Sequence, residues 1–259
     1  MSTLYPIILV HGIAVKDFKK FKAFGRIERV LRKEGYCVYT AKTDGFGTIE
    51  HNAEKLKEEI QKILNEHNVQ KVNIIAHSKG GLDARYMLKE MGMVDSVASL
   101  TTLCTPHKGS KIADSILKLP KFMVRFLAFW INFWYRLFGD KKPDSLAVCR
   151  QLKTISDAEA ADIEGIEGVY CQSYSTTLKR SRDDFLMGIP LIFSRKFEKD
   201  RSDGLVSAKS AEFANYRGDC MEESVSHTEI VGYSASKKKR KKVYAFYISL
   251  CISLSELGY

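Results

Sequence analysis

A serine hydroxyl attacks a carbonyl only where the backbone lifts it clear of its neighbours and a base lies within reach. Asn73-Ile74-Ile75-Ala76-His77-Ser78-Lys79-Gly80-Gly81 has the form of the first condition: an apolar strand enters a small-residue turn with serine at its apex, and helix-compatible residues 82–88 follow. Such a strand-to-helix turn is a nucleophile elbow. Crowding between strand and helix requires small residues two positions either side of the serine. Ala76 and Gly80 supply them, with alanine where glycine is commoner. Tyr5-Pro6-Ile7-Ile8-Leu9-Val10 reads as a buried parallel strand and ends in His11-Gly12-Ile13. In this arrangement the loop after that strand and the residue after the nucleophile each give one backbone N–H to an oxyanion hole, which nominates Ile13 and Lys79. One such donor is worth about 3 kcal/mol to a tetrahedral intermediate.

The base must come late in the chain, because the order for this elbow is serine, acid, histidine. Of the six histidines, His11, His51, His67 and His77 precede Ser78. His107 follows closely, in Thr105-Pro106-His107-Lys108-Gly109-Ser110, a loop after the next strand. His227, in Val225-Ser226-His227-Thr228-Glu229, is the late one. Asp203, on the turn Ser202-Asp203-Gly204, lies between serine and histidine and would fix the imidazole's tautomer; Asp200 competes for that role.

Together these segments resemble the bacterial true lipases of the α/β-hydrolase fold, the group of the Pseudomonas and Burkholderia triacylglycerol lipases. The likeness runs from Tyr5 to about Leu103 and continues loosely to Tyr233. Its landmarks are the strand ending His11-Gly12, Lys71 to Ser78, Thr105 to Ser110, Ser202-Asp203-Gly204-Leu205-Val206 and Ser226-His227-Thr228-Glu229, in that order. The resemblance implies Ser78 as nucleophile, Asp203 as acid, His227 as base, and Ile13 and Lys79 as oxyanion donors. It implies a carboxylester hydrolase, first of all a lipase acting on long-chain acyl glycerol esters. A phospholipase, a lysophospholipase or a short-chain esterase is the alternative, and a non-catalytic lipid-binding protein on the same fold a further one.

Members of that family are usually secreted, hold a disulfide, and carry a structural calcium near the histidine loop. The triad itself requires no cofactor or metal. Calcium is an expectation of the resemblance alone: Glu229 stands two residues after His227 where the family has aspartate, and Asp183 or Asp184 would add a second oxygen ligand. The six cysteines, at 37, 104, 149, 171, 220 and 251, have no metal spacing, and several sit in apolar runs as small hydrophobes. Met1 leads directly into the first strand without a leader-like segment. Reduced thiols and a cytoplasmic location are the expectation, with peripheral membrane attachment; secretion would require an export signal ahead of this sequence.

The elements that must hold these residues alternate strand with helix, which argues for one α/β-hydrolase domain over 1–259, a mostly parallel sheet flanked by helices. At 259 residues and 45% apolar the chain can bury such a core. Helices are expected over 21–34 and 52–64, the latter with Ala53, Leu56, Ile60, Ile63 and Leu64 on one face. Strands are expected over 37–41, 97–103 and 169–174, and near 191–193. A helical lid insertion occupies about 110–152, and its segment 122–138 is aromatic over most of a helical circumference. Lys121, Arg125, Ala128, Asn132 and Arg136 trace the one narrow stripe that is not. Such a helix is either buried in the core or a lid that meets lipid, and its polar residues argue against spanning a bilayer.

Net charge is +10, concentrated in Lys237-Lys238-Lys239-Arg240-Lys241-Lys242, ahead of an apolar helix over 243–257. A basic run there is a solvated loop or a patch for an anionic membrane or lipid-droplet surface. No nucleic-acid module accompanies it. The expected partners are therefore a lipid ester and, through the lid helix and residues 237–242, an anionic lipid surface.

Overall fold

The structure, a computed structural model, describes residues 3–13, 17, 21–161, 163–197 and 200–259. In chain order the elements are β1 (Ile7–Val10), α1 (Ile27–Lys33), β2 (Val38–Thr40), α2 (Ile49–His67), β3 (Val72–His77), α3 (Lys79–Glu90), β4 (Val97–Leu103) and α4 (Lys111–Leu117). Then come α5 (Lys121–Leu137), α6 (Ser145–Gln151), α7 (Asp157–Ala161), β5 (Tyr170–Ser175), α8 (Phe185–Phe197), α9 (Ala208–Ala211), β6 (Asn215–Asp219) and α10 (Lys237–Glu256). Six strands form one sheet, ordered β2-β1-β3-β4-β5-β6 and parallel throughout. All strand carboxyl ends therefore lie along one edge, where loops can converge on a site.

Side-chain alternation divides the core between the two faces of that sheet. Ile8, Val10, Ile74, Ala76 and Leu100 pack against Leu56, Ile60 and Met87 of α2 and α3. Ile7, Leu9, Ile75 and Leu103 pack against Ile27 and Leu31 of α1 and Val243, Tyr247 and Leu250 of α10. Strands β1, β3 and β4 are buried at every position. This burial on both faces explains why they read as continuous apolar runs.

Four expectations need correction. The helix expected over 21–34 begins only at Ile27, because Gly25 adopts φ +52° in a turn before it. Residues 191–193 are not a strand but the middle of helix α8, in which Leu191 is fully buried and Ile192 exposed. A short apolar run cannot distinguish buried helix from strand by period alone. The basic run does not precede the last helix but forms its first turns, with the Ser236 hydroxyl accepting from the Lys239 amide as N-cap. Finally, α5 spans Lys121–Leu137 as a helix, yet it turns its phenylalanines and tryptophans outward. Val124 and Ala128 are its buried residues, while Phe126 and Phe129 are 62% and 63% exposed. Asn132, on the stripe read as polar, faces the body and accepts from the Ser145 amide at 2.8 Å. Among the described residues no helix is long and apolar enough to cross a membrane.

The carboxyl end of α5 is fastened to the loop after β2. Asp140 accepts from the amides of Gly45 and Phe46 at 3.1 and 2.9 Å, and Asp44 accepts from those of Lys141 and Lys142 at 2.8 and 2.9 Å. The ring of Phe46 meets Tyr135 edge-on at 4.5 Å. Burial opposes ionisation of Asp44, but the Lys55 ammonium, the Lys142 amide and His51 outweigh it, holding the pKa at about 2 against an ordinary 3.8. A carboxyl whose folded pKa lies below its unfolded one stabilises the fold fully above the unfolded value, and that contribution is lost as pH falls through the folded value. The shift corresponds to about 2 kcal/mol. Both tryptophans of the chain, Trp130 and Trp134, lie on α5 and report on it. Their emission should change on acidification between about pH 4 and about pH 2, and Asp44→Asn should abolish that step. A variant titrating like the wild type would show that this fastening does not hold α5.

Candidate active site

Ser78 sits at φ 55°, ψ −133°, a conformation costly for any side chain, between the last residue of β3 and the first of α3. Its own amide donates to Leu103 O of β4 at 3.0 Å, tying the turn to the neighbouring strand. Gly80 must be small because a Cβ there would lie 2.5 Å from His11 O and 2.6 Å from Val10 O. A Cβ on Gly12 would lie 2.5 Å from Ser78 Cβ and 3.0 Å from its hydroxyl. The crowding that the sequence pattern implied therefore involves β1 and its following loop.

His227, on the loop after β6, brings Nε2 to 2.9 Å from Ser78 Oγ. Its Nδ1 lies 2.6 Å from Asp203 Oδ2. With Nδ1–H donating to the carboxylate, Nε2 is left as the acceptor of the serine proton. Asp203 is oriented from the other side: its Oδ1 accepts from the amides of Leu205 and Val206, both at 2.8 Å. Its backbone carbonyl also receives the His227 amide at 3.0 Å. All three residues are buried, Ser78 being 8% exposed. Asp200, the competitor, instead takes the Lys209 amide at 2.7 Å. The Gly12 approach places the Ile13 loop beside Ser78. Neither the Ile13 amide nor the Lys79 amide donates to a protein acceptor among the described residues. A base against the hydroxyl, an acid behind the base and two unused donors nearby can perform nucleophilic acyl transfer.

The other histidines serve elsewhere. His77 lies under the site, its ring 4.5 Å from that of His227. Burial, with His227 adding, pushes its pKa well below the ordinary range, so it stays neutral beside the base. His107 is buried against Arg85 and Thr102, and His51 pairs with Asp44.

Several residues of this neighbourhood were not nominated from sequence. Lys79 contributes more than its amide. Its ammonium is buried and pairs with Asp83 Oδ1 at 2.6 Å, a spacing of four on α3 that could have been noticed. Burial pushes the Asp83 carboxyl up to about 6, with Lys79 pulling it the other way. Asn52 donates to Asp83 Oδ2 at 3.1 Å and to Asp44 O at 2.9 Å. A single buried polar chain therefore joins the elbow to the loop that fastens α5. Cys104 closes the rear of the site at φ 51°, with its thiol 3.3 Å from Thr176 Oγ1. Burial and the nearby Asp203 push that thiol well above its ordinary range, so it stays protonated and inert. Nothing in the local sequence marked it.

The carboxylates nominated for calcium all accept from protein donors. Both oxygens of Glu229 accept from the Lys239 ammonium, at 3.0 and 2.8 Å, and Ser234 Oγ and the Ser226 amide add to them. Asp184 accepts from Ser226 Oγ and from the Leu186 and Met187 amides. Asp183 accepts from Ser224 Oγ at 2.6 Å. Among the described residues the one group with metal-like spacing is Cys104, Asp203 and His227, within the site itself. All six cysteines are free, so the disulfide usual in the family has no counterpart.

Comparison with known proteins agrees with this architecture. The family model described as palmitoyl protein thioesterase matches residues 6–142. The chain is 32% identical over 173 residues to a triacylglycerol lipase of Pseudarthrobacter phenanthrenivorans, covering 62% of this chain and 53% of that one. It matches a triacylglycerol lipase of Burkholderia plantarii equally well, over 47% of its length. The chain thus spans about half the length of these curated relatives. In three dimensions it is similar to the Staphylococcus hyicus lipase, at a TM-score of 0.69 and 16% identity, with 97% of this chain and 95% of that one covered. The fold is the α/β-hydrolase fold, and the chain belongs to the family described as palmitoyl protein thioesterase, with bacterial triacylglycerol lipases among its relatives.

Proposed function

We propose that the protein is a serine carboxylester hydrolase that cleaves long-chain acyl glycerol esters at a lipid surface. The observation that carries this reading is the hydrogen-bonded chain from Ser78 through His227 to Asp203, at 2.9 and 2.6 Å. In the first half-reaction His227 Nε2 takes the Ser78 proton as Oγ attacks the ester carbonyl. The Ile13 and Lys79 amides bear the negative charge that develops on the carbonyl oxygen. Collapse expels the glycerol alkoxide, which receives the proton from His227 and leaves an acyl-Ser78. Water, deprotonated by the same imidazole, then releases the fatty acid and restores the serine.

The lipid surface is supported by α5 and α8. Phe122, Phe126 and Phe129 of the first and Phe185 and Leu186 of the second are exposed, Phe185 at 93%. Both helices contact α4, so they border one region. Apolar surface on that scale is stable against a membrane or droplet rather than water. Basic residues of 237–242 would add attraction to anionic lipid. A second reading comes from the family's description. A palmitoyl thioester presents the same acyl chain and carbonyl with sulfur as leaving atom, and the same residues would open it.

Fluorophosphonate labelling tests the chemistry. Wild type should be labelled on Ser78, and Ser78→Ala not at all. Asp203→Asn should lower ester turnover about 10⁴-fold while preserving the fold, because the imidazole would hold the wrong tautomer. Labelling undiminished in Ser78→Ala would overturn the assignment. Over p-nitrophenyl esters of rising chain length, turnover should be greatest with long chains and should rise further with emulsified substrate. An optimum at acetate would identify a simple esterase instead. A palmitoyl thioester assayed beside palmitoyl ester decides between the two leaving groups.

We also propose that Lys239, in place of a metal ion, braces the histidine loop through Glu229. A chelator should then leave the melting temperature unchanged, whereas Lys239→Met should lower it by several degrees, since a buried carboxylate would lose its cation. A drop in melting temperature with chelator alone would refute this.

A further inference from the structure

The chain buries its aliphatic surface against the sheet but gathers cations at one corner of it. Helix α10 returns to the amino edge of the sheet, where Tyr259 O accepts from the Leu4 amide at 3.0 Å and the Tyr259 ring stacks on Tyr170 at the start of β5. Its N-terminus, with six consecutive basic residues, therefore stands at the carboxyl edge, the edge that holds Ser78. Helix α1 packs against α10 and likewise starts at that edge, following the loop after β1. Positive charge at a helix N-terminus opposes the macrodipole, so local stability does not account for the run.

Between the two helices lies a cavity of about 320 Å³ to which Lys22, Arg26 and Arg240 contribute cations and Phe21, Tyr233 and Tyr244 aromatic walls; among the described residues no carboxylate lines it. Phe21 and Tyr233 stack at 5.0 Å to form one side. Sharing Lys22, Gly25 and Arg26, a second hollow continues along α1 past Arg29, Arg32 and Lys33, with Glu28 as its one acidic member. Some of these cations are already engaged: Lys22 pairs with Asp17, Arg32 with Glu28, and Arg240 with the carbonyls of Ser234 and Ala235. Arg26, Arg29, Lys237, Lys238 and Lys241 are exposed and have no ion-pair partner among the described residues.

We propose that this cleft between α1 and the first turns of α10 binds the phosphate headgroup of an anionic membrane lipid. The proposal rests on the reading of Ser78 as a hydrolase nucleophile at a lipid surface and adds the site that orients the enzyme there. Phosphate suits the cleft because guanidinium groups grip it bidentately, and aromatic walls tolerate the adjoining glycerol or inositol. A lipid-borne phosphate is favoured over a free one because the cleft is built at the carboxyl edge of the sheet, the edge whose loops also carry α5 with its exposed phenylalanines. Headgroup and acyl region would then be met together. Tyr233 lies six residues beyond His227, so the bound headgroup would sit beside the histidine loop rather than remote from it.

Vesicle flotation decides the matter, with phosphatidylcholine alone or doped with phosphatidylglycerol, using full-length Ser78→Ala so that the lipid is not consumed. Wild-type surface charge should give a clear preference for the doped vesicles. Adding Arg26→Gln, Arg29→Gln and Lys237→Gln should weaken binding to them on the order of a hundredfold, each basic residue near an anionic surface being worth about fivefold. Binding to neutral vesicles, and turnover of p-nitrophenyl butyrate when Ser78 is restored, should not change. Should the triple variant fail to fold, Arg29→Gln alone should still show the fivefold loss. Undiminished partition of the variants to doped vesicles would overturn the proposal. So would inorganic pyrophosphate raising the melting temperature of the wild type while vesicles show no charge preference, which would assign the cleft to a free phosphate. Loss of ester turnover in Ser78→Ala with partition retained separates this site from the chemistry. If Ser78→Ala proved active, the hydrolase reading would fail while the flotation result still reported on the cleft.

Discussion

Everything at the site follows from one strained residue. A serine at φ 55°, ψ −133° persists only if its surroundings leave no alternative. The parallel sheet supplies that constraint. Strand β3 is hydrogen-bonded on both sides, by β1 and by β4, and the Ser78 amide extends the second ladder to Leu103 O. On the other side the backbone of α3 presses so close to Val10 and His11 that no Cβ fits at Gly80. The same close approach brings Gly12 against Ser78, so the loop that carries Ile13 is positioned by the packing of Ser78 itself. The turn at Ser78 and the placing of the Ile13 loop are therefore two consequences of one contact between β1 and the elbow.

A second constraint is polar. The buried Lys79 ammonium would cost several kcal/mol to desolvate if unpaired, and Asp83 would cost as much. Their partnership extends through Asn52 to the backbone of Asp44, whose carboxylate takes the amides beyond α5. Groups in such a chain cannot be displaced singly without leaving a buried donor or acceptor unpaired. The chain thus connects the end of α5 to Lys79, the residue that follows Ser78. The connection runs through hydrogen bonds at about 3 Å, shorter in reach and stricter in geometry than apolar packing alone.

The sequence made legible what is local. Strands β1, β3 and β4 are apolar throughout because both faces are covered, and the small residues around Ser78 mark the turn. His227 could be singled out by its late place in the chain, whereas order left Asp203 in competition with Asp200, and their meeting with Ser78 depends on loops whose course no pattern specifies. What was not legible depends on which neighbour each face meets. In α5 the periodicity located a helix correctly, but it did not say that Val124, Ala128 and Asn132 would face the protein and the phenylalanines face outward. Residues 191–193 misled because three apolar residues fit either period. The contact between Glu229 and Lys239, ten positions on, was not legible because the run of like residues conceals the individual lysine.

That lysine shows how the basic run divides its work. Lys239 and Arg240 are half-buried and turn inward, one to Glu229 and the other to the carbonyls of Ser234 and Ala235. Lys242 reaches Glu223 across the surface. These contacts bind the start of α10 to the histidine loop and offset part of the repulsion from the helix dipole. Lys237, Lys238 and Lys241 are exposed and make no ion pair among the described residues. Three and four residues apart on a helix define faces, so a six-residue run necessarily presents some cations inward and others outward. The inward set is accounted for by the loop it steadies. The outward set has no ion-pair partner among the described residues and repels itself and the helix terminus, so it is the part of the run left available to the anionic surface proposed above.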